Sequence, residues 1–343
     1  MKDGRRRFRP LRVEAPLRAD LAGGTLDIWP LGLLHPGAVT VAVALSLRAR
    51  ADLSPSPDPS RHRIRSADLG LAAERPVGAR GRASRGRLAL YTRLVALLDP
   101  GRGTEIVMRS PVRAGSGLGT SSALGIALAA GLSALSGRRR PPGRLVGLVR
   151  DVEAEILGIP TGTQDHWAAC RGGIVLLEHG PDGPRVSRTS GAQLAALSDR
   201  LLLIDTGRGR SSGPSNWDMF RRRLDGHPAA VRALAAVTRA ARRAAEALAA
   251  GDWRALGRAM SADLFARAEW SPLVLPRRAE AILTAARRAG AWGARMCGAG
   301  GGGFGVALAP PERRRRVADA VAAAGGAVVP ARGSARGLRI EAV

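Results

Sequence analysis

One stretch constrains this chain more than any other: Ser110-Pro-Val-Arg-Ala-Gly-Ser-Gly-Leu-Gly-Thr-Ser-Ser-Ala123. Thr104 to Arg109 ahead of it has a strand pattern, and the small-residue run behind it has helical spacing to about Ser136. Gly115, Gly117 and Gly119 let a backbone approach a ligand closely. A helix that starts at Thr120, Ser121 and Ser122 offers unpaired N–H groups and a positive dipole end, which suit phosphate. Hydroxyls in that turn can bind phosphate oxygens or Mg²⁺. Ser and Thr are also ordinary helix caps, but three alternating glycines followed by three hydroxyls exceed what a cap needs. The segment is read as a phosphate-binding loop.

Three further segments carry chemistry. Asp151-Val-Glu-Ala-Glu-Ile-Leu-Gly158 reads as the end of a helix bearing Glu153 and Glu155, after which a turn presents Thr161, Gln164, Asp165 and His166. Residues two apart do not share a helix face, so only one Glu can join Ser121 as a hard oxygen ligand for Mg²⁺. Asp165 is placed to accept a proton from an attacking hydroxyl; His166 by itself reads as structural. In Cys297-Gly-Ala-Gly-Gly-Gly-Gly-Phe-Gly305 the residues Gly298, Gly300 and Gly303 fit G-x-G-x-x-G. That fingerprint needs a strand before it and a helix after it, whereas Phe304–Ala309 reads as a strand. The dinucleotide reading is rejected in favour of a tight loop that another backbone or a ligand approaches. Finally, Ala15-Pro-Leu-Arg-Ala-Asp-Leu-Ala-Gly-Gly-Thr-Leu-Asp27 sets Arg18 and Asp27 in an otherwise apolar stretch.

Composition narrows the chemistry. The 343 residues carry a formal charge of +26, yet Lys2 is the only lysine among 54 basic residues. The arginines are spread along the whole chain instead of clustering in one run, as a nucleic-acid surface requires, so the excess reads as a bias of Arg over Lys. A Walker A loop needs Gly-Lys-Ser/Thr and a Schiff base needs lysine; both are excluded. The longest apolar run, about Ser122 to Leu135, is shorter than the roughly 20 residues that span a bilayer. No charged-then-apolar leader opens the chain. Cys170 and Cys297 cannot form a disulfide framework or a zinc site alone and read as small packing residues. A cytoplasmic protein is expected.

Two domains are expected from the length, divided at 190–200 into a mixed first part (1–195) and a more helical second part (196–343). Residues 1–10 read as a basic arm, 11–13 and 17–22 as strand, Val39–Leu53 as strand, Ser54–Ser60 as a turn, and 72–87 as a loop or insertion. Helices are expected at 88–98, 145–157, 229–250, 252–269, 276–289 and 312–324. Strands are expected at 172–178, 200–205, 304–309 and 338–343. This is an α+β pattern, not βαβ alternation.

In this order, the four segments resemble the GHMP kinase family, over residues 12 to 309. Gly115–Ala123 looks like the family's Gly-Leu-Gly-Ser-Ser phosphate loop, with Thr120 in the first hydroxyl position, and Gly298–Gly303 like its C-terminal Gly-Ala-Gly-Gly-Gly motif. Ala15-Pro-Leu-Arg18, Ala22-Gly-Gly-Thr-Leu-Asp27, Gln164-Asp-His-Trp-Ala-Ala169, Arg63-Ile-Arg-Ser66 and Leu203-Ile-Asp-Thr-Gly207 look like the sugar-kinase branch, near D-glycero-D-manno-heptose 7-phosphate kinase and fucokinase. That branch usually has Gly-Gly-Gly-Thr-Asp where this chain has Gly-Gly-Thr-Leu-Asp, and Gln-Asp-Gln where it has His166; both departures fall beside the sugar.

The resemblance implies a ribosomal-protein-S5-like N-terminal domain, a ferredoxin-like C-terminal domain, and ATP-dependent phosphorylation of a sugar or sugar phosphate at its anomeric hydroxyl. A mevalonate-type kinase on the same fold is the alternative, and a nucleic-acid binder on a retired scaffold the rival from another class. ATP is expected along Gly115, Ser116, Gly117, Leu118, Gly119, Thr120, Ser121 and Ser122. Mg²⁺ is expected at Ser121 and Glu153, the Glu five residues before Gly158 being preferred over Glu155. Asp165 is expected beside the acceptor hydroxyl with Arg18 holding it ionised. Gly24, Thr25, Asp27, Thr161, Gly300 and Gly301 are expected around the substrate. The partners implied are a small-molecule sugar or sugar phosphate and at most a second copy of the chain in a homodimer, with no membrane and no nucleic acid.

Overall fold

The computed structural model describes residues 9–81, 86–207 and 213–343, with 213–216 by backbone alone. The basic arm expected at 1–10 lies almost wholly outside the described residues, as does part of the 72–87 segment. The first half contains β1 (Leu11–Ala22), β2 (Val39–Pro55), β3 (Arg61–Ser66), β4 (Leu71–Pro76), α1 (Ala89–Leu97), β5 (Thr104–Arg109), α2 (Thr120–Leu135), α3 (Pro142–Leu157), α4 (Gln164–Arg171), β6 (Ile174–Glu178) and β7 (Arg185–Thr189). The second half contains α5 (Ala192–Ser198), β8 (Leu201–Asp205), α6 (Gly213–Leu224), α7 (Pro228–Ala250), α8 (Trp253–Trp270), α9 (Arg277–Arg288), β9 (Gly293–Met296), β10 (Phe304–Leu308), α10 (Arg314–Ala323), β11 (Ala327–Val329) and β12 (Arg339–Ala342).

Two sheets result, as an α+β architecture. The larger runs β12-β1-β2-β5-β3-β4, and β2 also carries β6, which pairs β7. β1 and β2 are antiparallel with register shifts between Pro16 and Arg18 and between Asp20 and Ala22. Such irregularities re-aim side chains, and here they fall on the strand that carries Arg18. Pro16 breaks the alternation in the sequence, but the strand continues through it at the first irregularity, so the two pieces expected at 11–13 and 17–22 are one. α2 is apolar or small on nearly every side and buried throughout its middle. A helix of this kind belongs in a core.

The smaller sheet reads β11-β8-β10-β9, all antiparallel. Taking its strands in chain order, that is fourth, first, third, second, with helices between the first pair and the last pair, which is the ferredoxin-like arrangement. The last residues return to the larger sheet, where β12 pairs antiparallel with β1.

The expectation of a loop at 72–87 fails at its start. Residues 72–87 begin as β4, paired antiparallel to β3. β4 is an edge strand whose one buried position is Arg75 and whose Leu71, Ala72 and Pro76 are exposed, so no apolar alternation marks it in the sequence; Glu74 faces Arg63 at 3.0 Å across the pair. Likewise β2 runs on to Pro55, one residue into the expected turn. Among the described residues no helix is long and apolar enough to cross a membrane.

Candidate active site

The N-terminus of α2 opens into a cavity of about 510 Å³ lined from both halves of the chain. Gly119, at the cap position, has φ +70°, and no side chain caps the helix. Thr120, Ser121 and Ser122 are thus not spent as caps, and the first N–H groups keep their capacity for an anion. Gly119 also has to be small: a Cβ there would lie 3.0 Å from the Asp165 carboxyl carbon.

The two glycine loops pack on each other. The Phe304 N–H donates to the Ser116 carbonyl at 2.9 Å, and a Cβ at Gly117 would lie 2.7 Å from the Cys297 carbonyl oxygen. The 298–303 loop is therefore a backbone-contact loop followed by a strand, as the sequence reading held. Arg113 ties the same region across the two sheets, donating to both Asp205 oxygens at 2.6 Å.

Arg18 and Asp165 meet below Gly119. Arg18 Nε donates to Asp165 Oδ1 at 2.7 Å and its Nη2 lies 2.6 Å from the same oxygen. Arg18 also donates to the Gly117 carbonyl and lies 3.0 Å from Asp20 Oδ1. Arg18 is only 4% exposed. Burial works against its charge, but Asp165 and Asp20 outweigh that and hold the guanidinium protonated more firmly than usual. Burial pushes the Asp165 carboxyl above the ordinary carboxylate range, with Asp20 adding to it, while Arg18 opposes. A carboxylate poised in this way is a better proton acceptor than a free one.

A second cluster sits beside α2. Ser122 Oγ lies 3.1 and 3.2 Å from the two Glu153 oxygens, and His166 Nε2 lies 3.0 Å from Glu153 Oε2. Burial pushes the Glu153 carboxyl up, but His166, Ser122 and Ser121 together hold it below the usual range. Burial pushes the His166 imidazole down, yet Glu153 keeps it raised overall. Ser121 and Tyr91, the only tyrosine, line the cavity beside Glu153. Glu155 turns away from the cavity to Arg93 at 3.1 Å.

With this geometry in place, the comparisons carry weight. The N-terminal model of the GHMP kinases matches residues 87–173 and the C-terminal model residues 244–327. The chain belongs to the GHMP kinase family. The D-glycero-D-manno-heptose 1-phosphate kinase from Bacteroides thetaiotaomicron superposes with a TM-score of 0.75 at 20% identity, covering 97% of this chain and 99% of that one. The Lactococcus lactis galactokinase complexed with galactose superposes at 0.75 with 17% identity, covering 96% and 95%. The Methanococcus jannaschii mevalonate kinase does so at 0.75 with 16% identity, covering 96% and 99%. At these identities the likeness shows the shared two-domain fold. None of the curated proteins matches the chain significantly.

In this GHMP kinase the expected site residues separate by position. Arg18, Gly24, Thr25, Asp27, Gly115, Ser116, Gly117, Gly119, Thr120, Ser121, Ser122, Glu153, Thr161 and Asp165 all line the cavity. Leu118 does not; it is fully buried, and its carbonyl accepts the Arg18 N–H at 3.1 Å. Gly300 and Gly301 do not line it either: the Gly301 N–H donates to the Val274 carbonyl, and Gly298 and Ala299 face the cavity in their place.

Asp165 and His166 are not in a turn but in the first turn of α4. Thr163, at the cap position, does not cap it. Asp27 does, accepting from the Thr163 and Gln164 N–H groups at 2.7 and 2.9 Å through Oδ2. Asp27 lines the cavity and positions the Asp165 helix through Oδ2. Asp27→Ala is expected to destabilise the fold by about 1–2 kcal/mol, the cost of a lost cap, in urea titration.

Sequence reasoning missed Asp20, Arg267, Asp263 and Arg295. Asp20 is fully buried, and its Oδ2 accepts the Gly298 N–H at 2.7 Å, joining β1 to the second glycine loop. Its signal was present, since residues 18 and 20 share one face of a strand. Arg267 and Arg295, among so many arginines, had none.

Proposed function

We propose that this kinase transfers the γ-phosphoryl group of ATP to a hydroxyl of a sugar or sugar phosphate, at the anomeric position. The observation that carries this reading is the buried Arg18–Asp165 pair directly under Gly119. On this reading Asp165 would be the proton acceptor for a hydroxyl that meets a nucleotide held on the uncapped end of α2. Asp165 would accept a hydrogen bond from that hydroxyl, align it for in-line attack, and take its proton as the new O–P bond forms. Arg18 holds Asp165 in place and leaves a fixed positive charge beside the developing charge. Phosphoryl transfer depends on such positioning and neutralisation.

Ser121 and Glu153 fit a Mg²⁺ ion: both are hard oxygen donors on the cavity wall, and Glu153 is held in its charged form. Bound there with ATP, Mg²⁺ would neutralise phosphate charge. Ser121→Ala is expected to raise the Mg²⁺ concentration for half-maximal rate by about tenfold, as loss of one ligand worth roughly 1.4 kcal/mol implies; an unchanged Mg²⁺ titration would assign the metal to another group.

By the resemblance, mevalonate-type kinases carry lysine near this start; the only lysine here is Lys2, so Arg18 favours the sugar reading. The direct test is ADP release with Mg²⁺-ATP on heptose 7-phosphate, fucose, galactose, mannose, N-acetylhexosamines, mevalonate and homoserine. Turnover on a sugar, with phosphorus NMR locating the phosphate at the anomeric oxygen, is the expected result. Turnover on mevalonate alone would overturn it.

A further inference from the structure

Asp20 is a buried carboxylate that the phosphoryl-transfer geometry does not use. It lies on β1 two residues from Arg18, is 0% exposed, and sits behind the cavity wall that Arg18, Gly24 and Gly298 help to form. Its Oδ2 accepts the Gly298 N–H at 2.7 Å. Its Oδ1 lies 3.0 Å from Arg18 Nε, yet among the described residues no hydrogen-bond donor is aimed at it. The Nε–H that could do so points instead at Asp165 Oδ1, at 2.7 Å. Arg18 Nη2 reaches that same Asp165 oxygen at 2.6 Å, and Nη1 donates to the Gly117 carbonyl.

Holding Gly298 does not require a charge. The amide oxygen of Asn or the hydroxyl of Ser would accept one N–H as well, and a buried carboxylate with an unbonded oxygen is costly to keep from water. What only an acid supplies here is a second negative charge within 3.0 Å of the nitrogen that grips Asp165. Two carboxylates then share one guanidinium, and each opposes the ionisation of the other. Arg18 stays firmly protonated, because Asp165 and Asp20 both favour its charge. Asp165 keeps its contact with Arg18 but is less neutralised than a lone ion pair would leave it; burial first, and Asp20 after it, push its carboxyl up against Arg18.

The other ionisable groups nearby are few. Asp27 lies in the turn after β1, and His166 stands next to Asp165 on α4, paired with Glu153 of α3. Cys297 precedes the second glycine loop, and Arg267 of α8 also faces Asp20. The first turn of α2 adds no charge.

We infer that Asp20 is a positioning residue for phosphoryl transfer: tied to Gly298 and sharing Arg18 with Asp165, it lets Arg18 orient Asp165 while leaving that carboxylate basic enough to take the acceptor's proton. The inference rests on Asp165 as the proton acceptor, and it holds for any hydroxyl acceptor, sugar or not.

The test compares wild type with Asp20→Asn and Asp20→Ser. Both variants remove the charge and keep an acceptor for the Gly298 N–H. They differ in size, so a change common to both reports charge and not packing. On whichever acceptor turns over, the acid limb of kcat/KM against pH is expected to move down by about one pH unit in both, the effect of losing one like charge this close. The sign follows from the geometry: with residue 20 neutral, Arg18 favours ionised Asp165 more strongly, and a lower pH is needed to protonate it. Plateau kcat is expected to fall as well, since a weaker base takes the proton less readily. KM for ATP is expected to stay unchanged, because the Gly298 tie is kept. An unmoved limb in both variants, or a loss confined to KM, leaves Asp20 a structural tie alone and overturns the inference.

A second readout needs no turnover. With aspartate labelled by ¹³C at the side-chain carboxyl, the resonance absent from Asp165→Asn belongs to Asp165, and its chemical shift follows ionisation as pH changes. Its midpoint is expected above that of an exposed aspartate in wild type, and about one pH unit lower in both Asp20 variants. That result supports the inference even if no acceptor of the panel reacts, an outcome that would count against the substrate reading alone. A wild-type midpoint at or below that of an exposed aspartate, or one midpoint common to all three proteins, overturns it.

Discussion

Asp165→Asn is expected to lower kcat by about 10³-fold, within the range that a positioned general base contributes, while binding of Mg²⁺-ATP is retained. Asn keeps the size of the side chain and can still meet Arg18, so the change removes the proton acceptor without emptying the site. The prediction is checked by steady-state ADP release beside nucleotide binding measured by calorimetry. Turnover comparable with wild type would remove Asp165 from the base role. The pH profile adds a second check with a definite sign. The carboxyl must be ionised to act and is pushed above the ordinary range by burial. The rate of wild type is therefore expected to fall as pH drops, with a midpoint above that of an exposed aspartate, and this limb is expected to vanish in the variant's residual activity.

The second large effect is on stability. Asp263 and Arg295 are both 0% exposed and lie 3.0 Å apart, and Asp263 Oδ1 also accepts the Gly23 N–H at 2.7 Å. Asp263→Ala leaves a buried guanidinium and a buried N–H without their acceptor. Breaking a buried pair on one side costs about 3–5 kcal/mol. A fall of that size in the stability of the variant against wild type is expected in urea or thermal unfolding. A change below about 1 kcal/mol, the worth of an ordinary hydrogen bond, would show that water or a shifted neighbour satisfies Arg295. Because the pair anchors Gly23 at the start of the Gly23–Thr25 turn, acceptor KM is expected to rise with it. Asp263 thus links the packing of α8 to the geometry of the cavity floor.

The outcome of the sequence reading follows from the range of the forces involved. The phosphate loop was legible because its signals are local. Alternating glycines that adopt positive φ, a hydroxyl run and a small-residue helix are properties of about fourteen consecutive residues. The rejection of the dinucleotide fingerprint rested on the strand pattern of Phe304–Ala309, which is equally local and which β10 bears out. β4 was not legible, because an edge strand faces solvent and needs no apolar alternation. The helix over Gln164–Arg171 was not legible either: its cap comes from Asp27, distant in the chain, and not from the residue that precedes it.

What the sequence determined by itself is the family, the α+β class, the two glycine loops and the short list of polar residues that stand out of apolar context, Arg18 and Asp27 among them. Each depends on local conformation or on a pattern that needs no partner to be recognised. What only the tertiary structure decided is the division of labour among like residues. Glu153 faces the cavity and Glu155 solvent, because a helix turns by 100° per residue and only packing says which face is inward. Asp27 is spent partly on capping the helix of Asp165. Among the described arginines, Arg18, Arg75, Arg267 and Arg295 are the ones that burial removes from water. Burial makes their charges matter, since a guanidinium at the surface is screened by solvent and ions, whereas one inside must be answered by a carboxylate or by a ligand.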